Sequence, residues 1–517
     1  MLHYFIHLQH LAMKLIILIF ASVSTFALAE GPLVTVDTGA LEGTAENGVH
    51  AFKGIPYAAP PVGGLRWRAP QAPPKWDGVR KAVRYGSDAP QRLSLTQDED
   101  CLFLNVWAPA DVARRPYPVM AWIHGGGLNV GSGKCAGENF AKKGVVLVSF
   151  NYRLGRLGAF AHPALLAARP KGEPPGNFWL LDQIAALEWA QRNIGKFGGD
   201  PKRVTIFGVS SGGTSVNMLM MSPNAKGLFN GAIAQSGIGG FGPFRRISAA
   251  VGDRPSQATL GQRWAEKKNA TTSEKLRALP WREVVADSGE GESGVEPVVD
   301  EVTIPDDPQR VFAAGRQHRI PLIAGANSFE GTLARVFPWG EQPPKPAIQA
   351  NLTRLAPLYG KPAADPSLML DLYGDVFFRS SAHWLANQMQ RVETPAWNYH
   401  FDYVRKSERK KSKGAGHGSE VPYVFGSVIL PALEDLAAIH VVQGHWIQFA
   451  KTGNPNGPGL PDWPATTTAA PVTMVYGNET TKAVPELDKA RFGILYECYA
   501  QSWPDMPTLV EKPTLKP

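Results

Sequence analysis

The chain has 517 residues, 44% hydrophobic and 19% charged, with 53 Lys+Arg against 45 Asp+Glu and a formal charge of +8. That apolar fraction excludes a disordered chain, Gly and Pro follow no collagen-like period, and 3 Cys cannot staple a chain this long. The modest basic excess does not indicate nucleic acid, and no nucleic-acid partner is expected.

Residues 1–29 have the pattern of a targeting segment. Met13-Lys14 precedes the apolar run Leu15 to Phe20, and small residues end in Ala27-Leu28-Ala29, an A-x-A cleavage pattern. Met13 is a candidate true start, because residues 1–12 carry three His and break the pattern. Leu15 to Ala29 is too short to span a bilayer, which takes roughly 20 apolar residues, and no later stretch qualifies. The expectation is an exported protein, periplasmic or secreted, with no integral membrane segment once the leader is removed. Cys101, Cys135 and Cys498 are odd in number, so at least one stays unpaired or pairs between chains, and free buried thiols are expected.

Beyond the leader, Pro118 to Ile123, Val145 to Phe150, Val204 to Phe207 and Pro321 to Ala324 are short apolar runs that predict buried strands. Leu181 to Asn193 has apolar residues at helical spacing. Strands alternating with helices predict a mostly parallel sheet flanked by helices, an α/β class. Residues 30–517 are expected to form one catalytic domain. Insertions are expected at roughly 240–320 and 340–415, the helical periodicity of the second being confined to 340–395.

Gly208-Val209-Ser210-Ser211-Gly212 is a G-x-S-x-G pattern between a strand and a helix-compatible run, Thr214 to Met220. A serine on a sharp strand-to-helix turn presents its hydroxyl clear of the sheet, so Ser210 is the candidate nucleophile. Strand Val119–Ile123 ends in His124-Gly125-Gly126-Gly127. Backbone N–H groups of Gly126 and Gly127, with that of Ser211, are the candidate oxyanion hole.

These motifs and their neighbours resemble the type-B carboxylesterase family, the cholinesterase-like branch of the α/β-hydrolases. Similar stretches are Phe52 to Pro61, Glu99 to Val106, Asn151-Tyr152-Arg153, Asp182-Gln183, Phe197 to Pro201 and Gln235-Ser236-Gly237. The resemblance runs from about Val34 to the neighbourhood of Trp463, densely up to Gly240. It implies an α/β-hydrolase fold with helical insertions over the site. It implies an acidic triad member in Gly325-Ala326-Asn327-Ser328-Phe329-Glu330-Gly331, hence Glu330, and a histidine in Gly414-Ala415-Gly416-His417-Gly418-Ser419-Glu420, hence His417. The implied activity is carboxylic-ester hydrolysis through an acyl-enzyme on a small-molecule ester, with no metal or organic cofactor. The same triad would also serve amide, thioester or lactone cleavage. A non-catalytic binding protein on this fold is the third reading, disfavoured by the complete candidate triad.

The sequence departs from the family at several positions. Val209 stands where Glu is usual, which argues against choline esters. The family's cysteine partner of Cys101 would fall near Pro90-Gln91, so that loop is unbridged, and it carries no Trp. Leu128 replaces a common Phe, and Trp179 a common Gly. Leu128, Val209 and Trp179 are the candidate pocket residues, with a buried structural Trp as the other reading of Trp179.

The charge is uneven. Removing the leader takes Lys14, leaving +7, and residues 405–413 hold six bases and one acid. The rest of the mature chain is then only about +2. This run ends four residues before His417, which suggests a place at the rim of the site. Attraction of acidic substrates, contact with an anionic surface, and a plain solvated loop are its three readings.

Overall fold

The predicted strands are the middle of one 11-stranded mixed sheet. The computed structural model describes residues 31–507 apart from 93, 112, 115, 240–241, 289–293 and 338–343; the expected leader lies outside the described residues. In chain order the sheet strands are β1 (Thr44–Glu46), β2 (Val49–Pro56), β3 (Phe103–Pro109), β4 (Tyr117–Ile123), β5 (Val146–Phe150), β6 (Gly199–Val209), β7 (Gly231–Gln235), β8 (Leu322–Asn327), β9 (Ala396–Phe401), β10 (Val472–Tyr476) and β11 (Thr481–Pro485). Their spatial order is β11-β10-β9-β8-β7-β6-β4-β5-β3-β2-β1. The run from β5 to β10 is parallel throughout, and antiparallel strands close both edges. This is the α/β-hydrolase architecture expected.

The inner strands show no polar alternation because both faces are covered, so alternate apolar residues enter different cores. Val119, Ala121 and Ile123 of β4 join one core, with helices α1 (Phe178–Asn193) and α2 (Ser211–Leu219). Met120 and Trp122 join the other, with α3 (Leu433–Thr452).

Strand β4 lies between β5 and β6. The chain leaves β4 toward β5 and later leaves β6 toward β7, in opposite directions. A crevice opens outside the carboxyl ends of strands at such a switch point. The glycine run follows β4 and Ser210 follows β6, and Ile123 pairs with Gly208 across these strands.

The second expected insertion needs correction. Residues 345–395 do carry helices, but Ala396–Phe401 within the expected span 340–415 is a central strand. Its sequence, Ala-Trp-Asn-Tyr-His-Phe, alternates aromatic with polar residues, a period-two strand pattern that an expectation of long apolar runs passes over. Among the described residues no helix is long and apolar enough to cross a membrane. The three cysteines are free, Cys101 and Cys498 fully buried.

Candidate active site

Strand β6 ends at Val209 and α2 starts at Ser211, leaving Ser210 alone in the turn at φ 58°, ψ −124°. A non-glycine residue there costs roughly 1–3 kcal/mol and needs support from its surroundings. The Ser210 N–H donates to the Gln235 carbonyl (2.8 Å), and the Ser210 carbonyl accepts from Thr214 N–H (2.8 Å). Gly212 lets the turn press onto β4, since a Cβ there would sit 2.1 Å from the Ile123 oxygen. The result aims the Ser210 side chain off the sheet, at the positive end of α2.

The loop after β4 wraps this turn. Gly126 has φ +114°, and a Cβ on it would lie 2.0 Å from the Val130 oxygen, so only glycine fits. A Cβ on Gly125 would lie 3.0 Å from the Ser210 Cβ, which puts the loop backbone against the nucleophile. Tyr152 anchors the loop from below. Its hydroxyl donates to the His124 carbonyl (2.8 Å), and its ring stacks on His124 at 4.3 Å. Burial drops the His124 pKa to about 4, so this histidine is neutral.

Glu330 follows β8 and is buried. One carboxylate oxygen accepts from Ser236 Oγ (2.6 Å) and the Asn327 N–H (2.7 Å), and the other meets His417 Nδ1. The histidine loop is held to the β8 loop by backbone and side-chain bonds. Phe329 N–H donates to Ala415 O (2.8 Å), Asn327 Nδ2 to Gly416 O (2.6 Å), and His417 N–H to Thr332 Oγ1 (3.1 Å). The Phe378 ring packs on the imidazole at 5.1 Å. His417 Nε2 is buried without a partner among the described residues. Burial disfavours the His417 cation, but the Glu330 charge and hydrogen bond outweigh it, and the net pKa shift is upward.

Glutamate and histidine therefore meet, and the serine stands at the carboxyl end of the same parallel array, β7 lying between its strand and that of the glutamate. Sequence reasoning gave no role to the residues that hold them. Ser236 and Asn327 orient Glu330. Glu420 accepts from Asn327 Nδ2 (2.6 Å) and Gln235 Nε2 (3.0 Å), tying the histidine loop to β7. Burial, then the Glu330 charge, raises the Glu420 pKa. Their only signal was a place inside motif stretches.

Two pocket candidates move. Trp179, the second residue of α1, is fully buried in the core, its Cβ 3.1 Å from where a Gly158 Cβ would stand. Its indole is fully shielded, and Nε1 has no hydrogen-bond partner among the described residues. Leu128 is also buried in that core, and the Phe337 ring faces Gly127 instead. Val209 stays at the site, half-buried beside Gly125. Where a disulfide is missing, Gln91 holds the 90s loop, accepting from Gly131 N–H (2.8 Å) and donating to the Gly131 carbonyl (2.9 Å). Among the described residues no cluster of His, Cys, Asp or Glu is arranged to hold a metal.

A serine on a strained turn, an imidazole held by a buried carboxylate and a glycine loop beside the hydroxyl are the parts of an acyl hydrolase. The carboxylesterase family model matches residues 30–357 and 360–493. The chain is 35% identical over 495 residues to the para-nitrobenzyl esterase of Bacillus subtilis (strain 168), covering 88% of this chain and 97% of that protein. It is 34% identical to the fumonisin B1 esterase of Sphingopyxis macrogoltabida, over 83% of each chain. A solved PNB esterase superposes with a TM-score of 0.76 at 32% identity, over 90% of this chain and 99% of that one. The chain belongs to the carboxylesterase family and is a serine carboxylic ester hydrolase.

Proposed function

We propose that the protein is an exported carboxylesterase in which Ser210, His417 and Glu330 form the triad. The observation that carries this reading is the Glu330–His417 pair, buried and oriented, with Nε2 left available. His417 Nε2 takes the Ser210 proton as Oγ attacks the ester carbonyl carbon. The carbonyl oxygen becomes an oxyanion received by the N–H groups of Gly126, Gly127 and Ser211. Collapse expels the alcohol, which takes the proton from His417. Water, deprotonated by His417, then attacks the acyl-enzyme, and the acid leaves as Ser210 regains its proton. Glu330 fixes the imidazole tautomer and stabilises its cation.

Neutral esters with apolar or aryl groups suit the site best. Val209 places no carboxylate beside the nucleophile, and Phe337 and Phe378 present rings to Gly127 and His417. A p-nitrobenzyl ester is a fitting first substrate, since one relative is named for it. We expect it to be hydrolysed at least about tenfold more efficiently than the matching choline ester; a preference for choline would overturn this assignment. Ser210→Ala should abolish turnover and labelling by a fluorophosphonate probe, and retained labelling would move the nucleophile elsewhere. Export rests on the pattern of residues 1–29. Released protein should begin at Glu30, as read by N-terminal sequencing, and a retained leader on an intracellular protein would refute it.

A further inference from the structure

The basic run at 405–413 sits against an apolar surface that the catalytic reading does not use. Ile429, Leu430, Leu433 and Leu436 are exposed by 80%, 87%, 87% and 47%. They form the turn before α3 and its first turn of helix. Leu430 is held at φ 47°, a left-handed conformation costly for a leucine, and its carbonyl accepts from Arg405 Nη2 (2.9 Å). The basic run is pinned to this same corner. Arg405 Nε lies 3.2 Å from Asp435 Oδ2, and Arg409 Nη2 donates to Glu434 Oε2 (3.0 Å). Those two arginines are thereby neutralised. Lys406, Lys410 and Lys411 are exposed and form no ion pair among the described residues. A groove of about 530 Å³ lies between the basic run and the turn, lined by Val404, Arg405, Glu408, Pro422, Val428 and Ile429. Its wall includes Gly416, the residue before His417.

We propose that this corner docks the enzyme on an anionic lipid surface. Four bulky aliphatic side chains held in water, on a corner to which a run with three exposed lysines is pinned, match the two layers of such a surface. Lysines meet the headgroups while aliphatic side chains enter the acyl boundary. A second copy fits poorly, because a two-fold contact would bring the lysine rows of both copies together. The groove lies on the loop that carries His417, so docking holds the catalytic end of the molecule near the lipid.

The test is co-sedimentation of the released protein, beginning at Glu30, with phosphatidylcholine vesicles and with vesicles containing phosphatidylglycerol. The readout is preference for the anionic vesicles. Wild type should prefer them, with a preference that falls as salt rises. K406E/K410E/K411E and L430S/L433S should each lower anionic-vesicle affinity at least about tenfold. Both variants should retain wild-type turnover of a soluble p-nitrophenyl ester, which reports intact folding. Equal binding to both vesicle types, or unchanged preference in both variants, overturns the proposal. So does a wild-type dimer, seen by sedimentation velocity, that L430S/L433S dissociates while vesicle binding is absent.

Discussion

His417 is held by opposing forces. Burial favours the neutral ring, while the Glu330 charge and hydrogen bond favour the cation and win. The base must be neutral to accept the Ser210 proton, so kcat/KM should fall as pH drops through a value above the ordinary 6.5. Glu330→Gln removes the opposing charge; the acidic limb should move to lower pH and kcat should drop about 10³–10⁴-fold. An acidic limb that stays put would sever the link between the two residues. The sign for stability is opposite to that of a carboxylate. With a raised folded-state pKa, the pair's stabilisation is complete below the unfolded value and is lost as pH rises through the folded one. Gly126→Ala forces a Cβ onto the Val130 oxygen and strains a φ of +114°. Moving the loop should cost about 10²–10³ in kcat with little change in KM; an unaffected kcat would remove Gly126 from the oxyanion hole.

Several stretches recognised by resemblance prove to be struts for the elements around the site. Arg153 and Asp182 form a bidentate pair (2.8 and 2.7 Å), with side chains 2% and 0% exposed, linking α1 to the loop after β5. Arg66 and Glu99 form a second such pair, joining the segments before β3. Asp182→Asn leaves a buried guanidinium without its charge partner. It should destabilise the fold by about 3–5 kcal/mol, measured by denaturant unfolding; a loss below about 1 kcal/mol would show that the guanidinium finds another partner or water. The resemblance marked Glu99, Arg153 and Asp182 as parts of a pattern but not as members of pairs, and it passed over Arg66, because a bidentate contact such as that between Arg153 and Asp182, 29 residues apart, depends on how α1 packs under β5. Helix α1 itself was legible, since its apolar spacing is local. Strand β9 carries a local pattern too, aromatic residues alternating with polar ones, but its central place between β8 and β10 is set by the sheet and not by its own residues.

At the scale of the whole molecule, the sheet order gathers functional residues spread over some 200 positions. Ser210 and Glu330 stand at the ends of β6 and β8, with β7 between them supplying Ser236 and Gln235. The +8 charge has an analogous distribution. Two arginines of the basic run are engaged at α3 and the turn before it, and its exposed lysines belong to the segment that these arginines hold at the apolar turn. Lys406, Lys410 and Lys411 therefore act at a surface, and their reversal should leave turnover of a neutral soluble ester unchanged.

The sequence by itself determined the nucleophile turn, the glycine loop, the strand–helix alternation and the family. Each of these is written in contiguous residues whose backbone needs are local: a glycine where φ is positive or contact is close, an apolar run where both faces are covered. The acid and base of the proposed triad were reachable only through resemblance to a family, because nothing near Glu330 or His417 distinguishes them from solvated loop residues. Tertiary structure decided what surrounds them. It buried Trp179 and Leu128 in the core and brought Phe337 to Gly127 and Phe378 to His417. It also enlisted Ser236, Asn327 and Glu420 to fix the buried carboxylate and the histidine loop, since burial and hydrogen-bond partnership are set by segments distant in sequence.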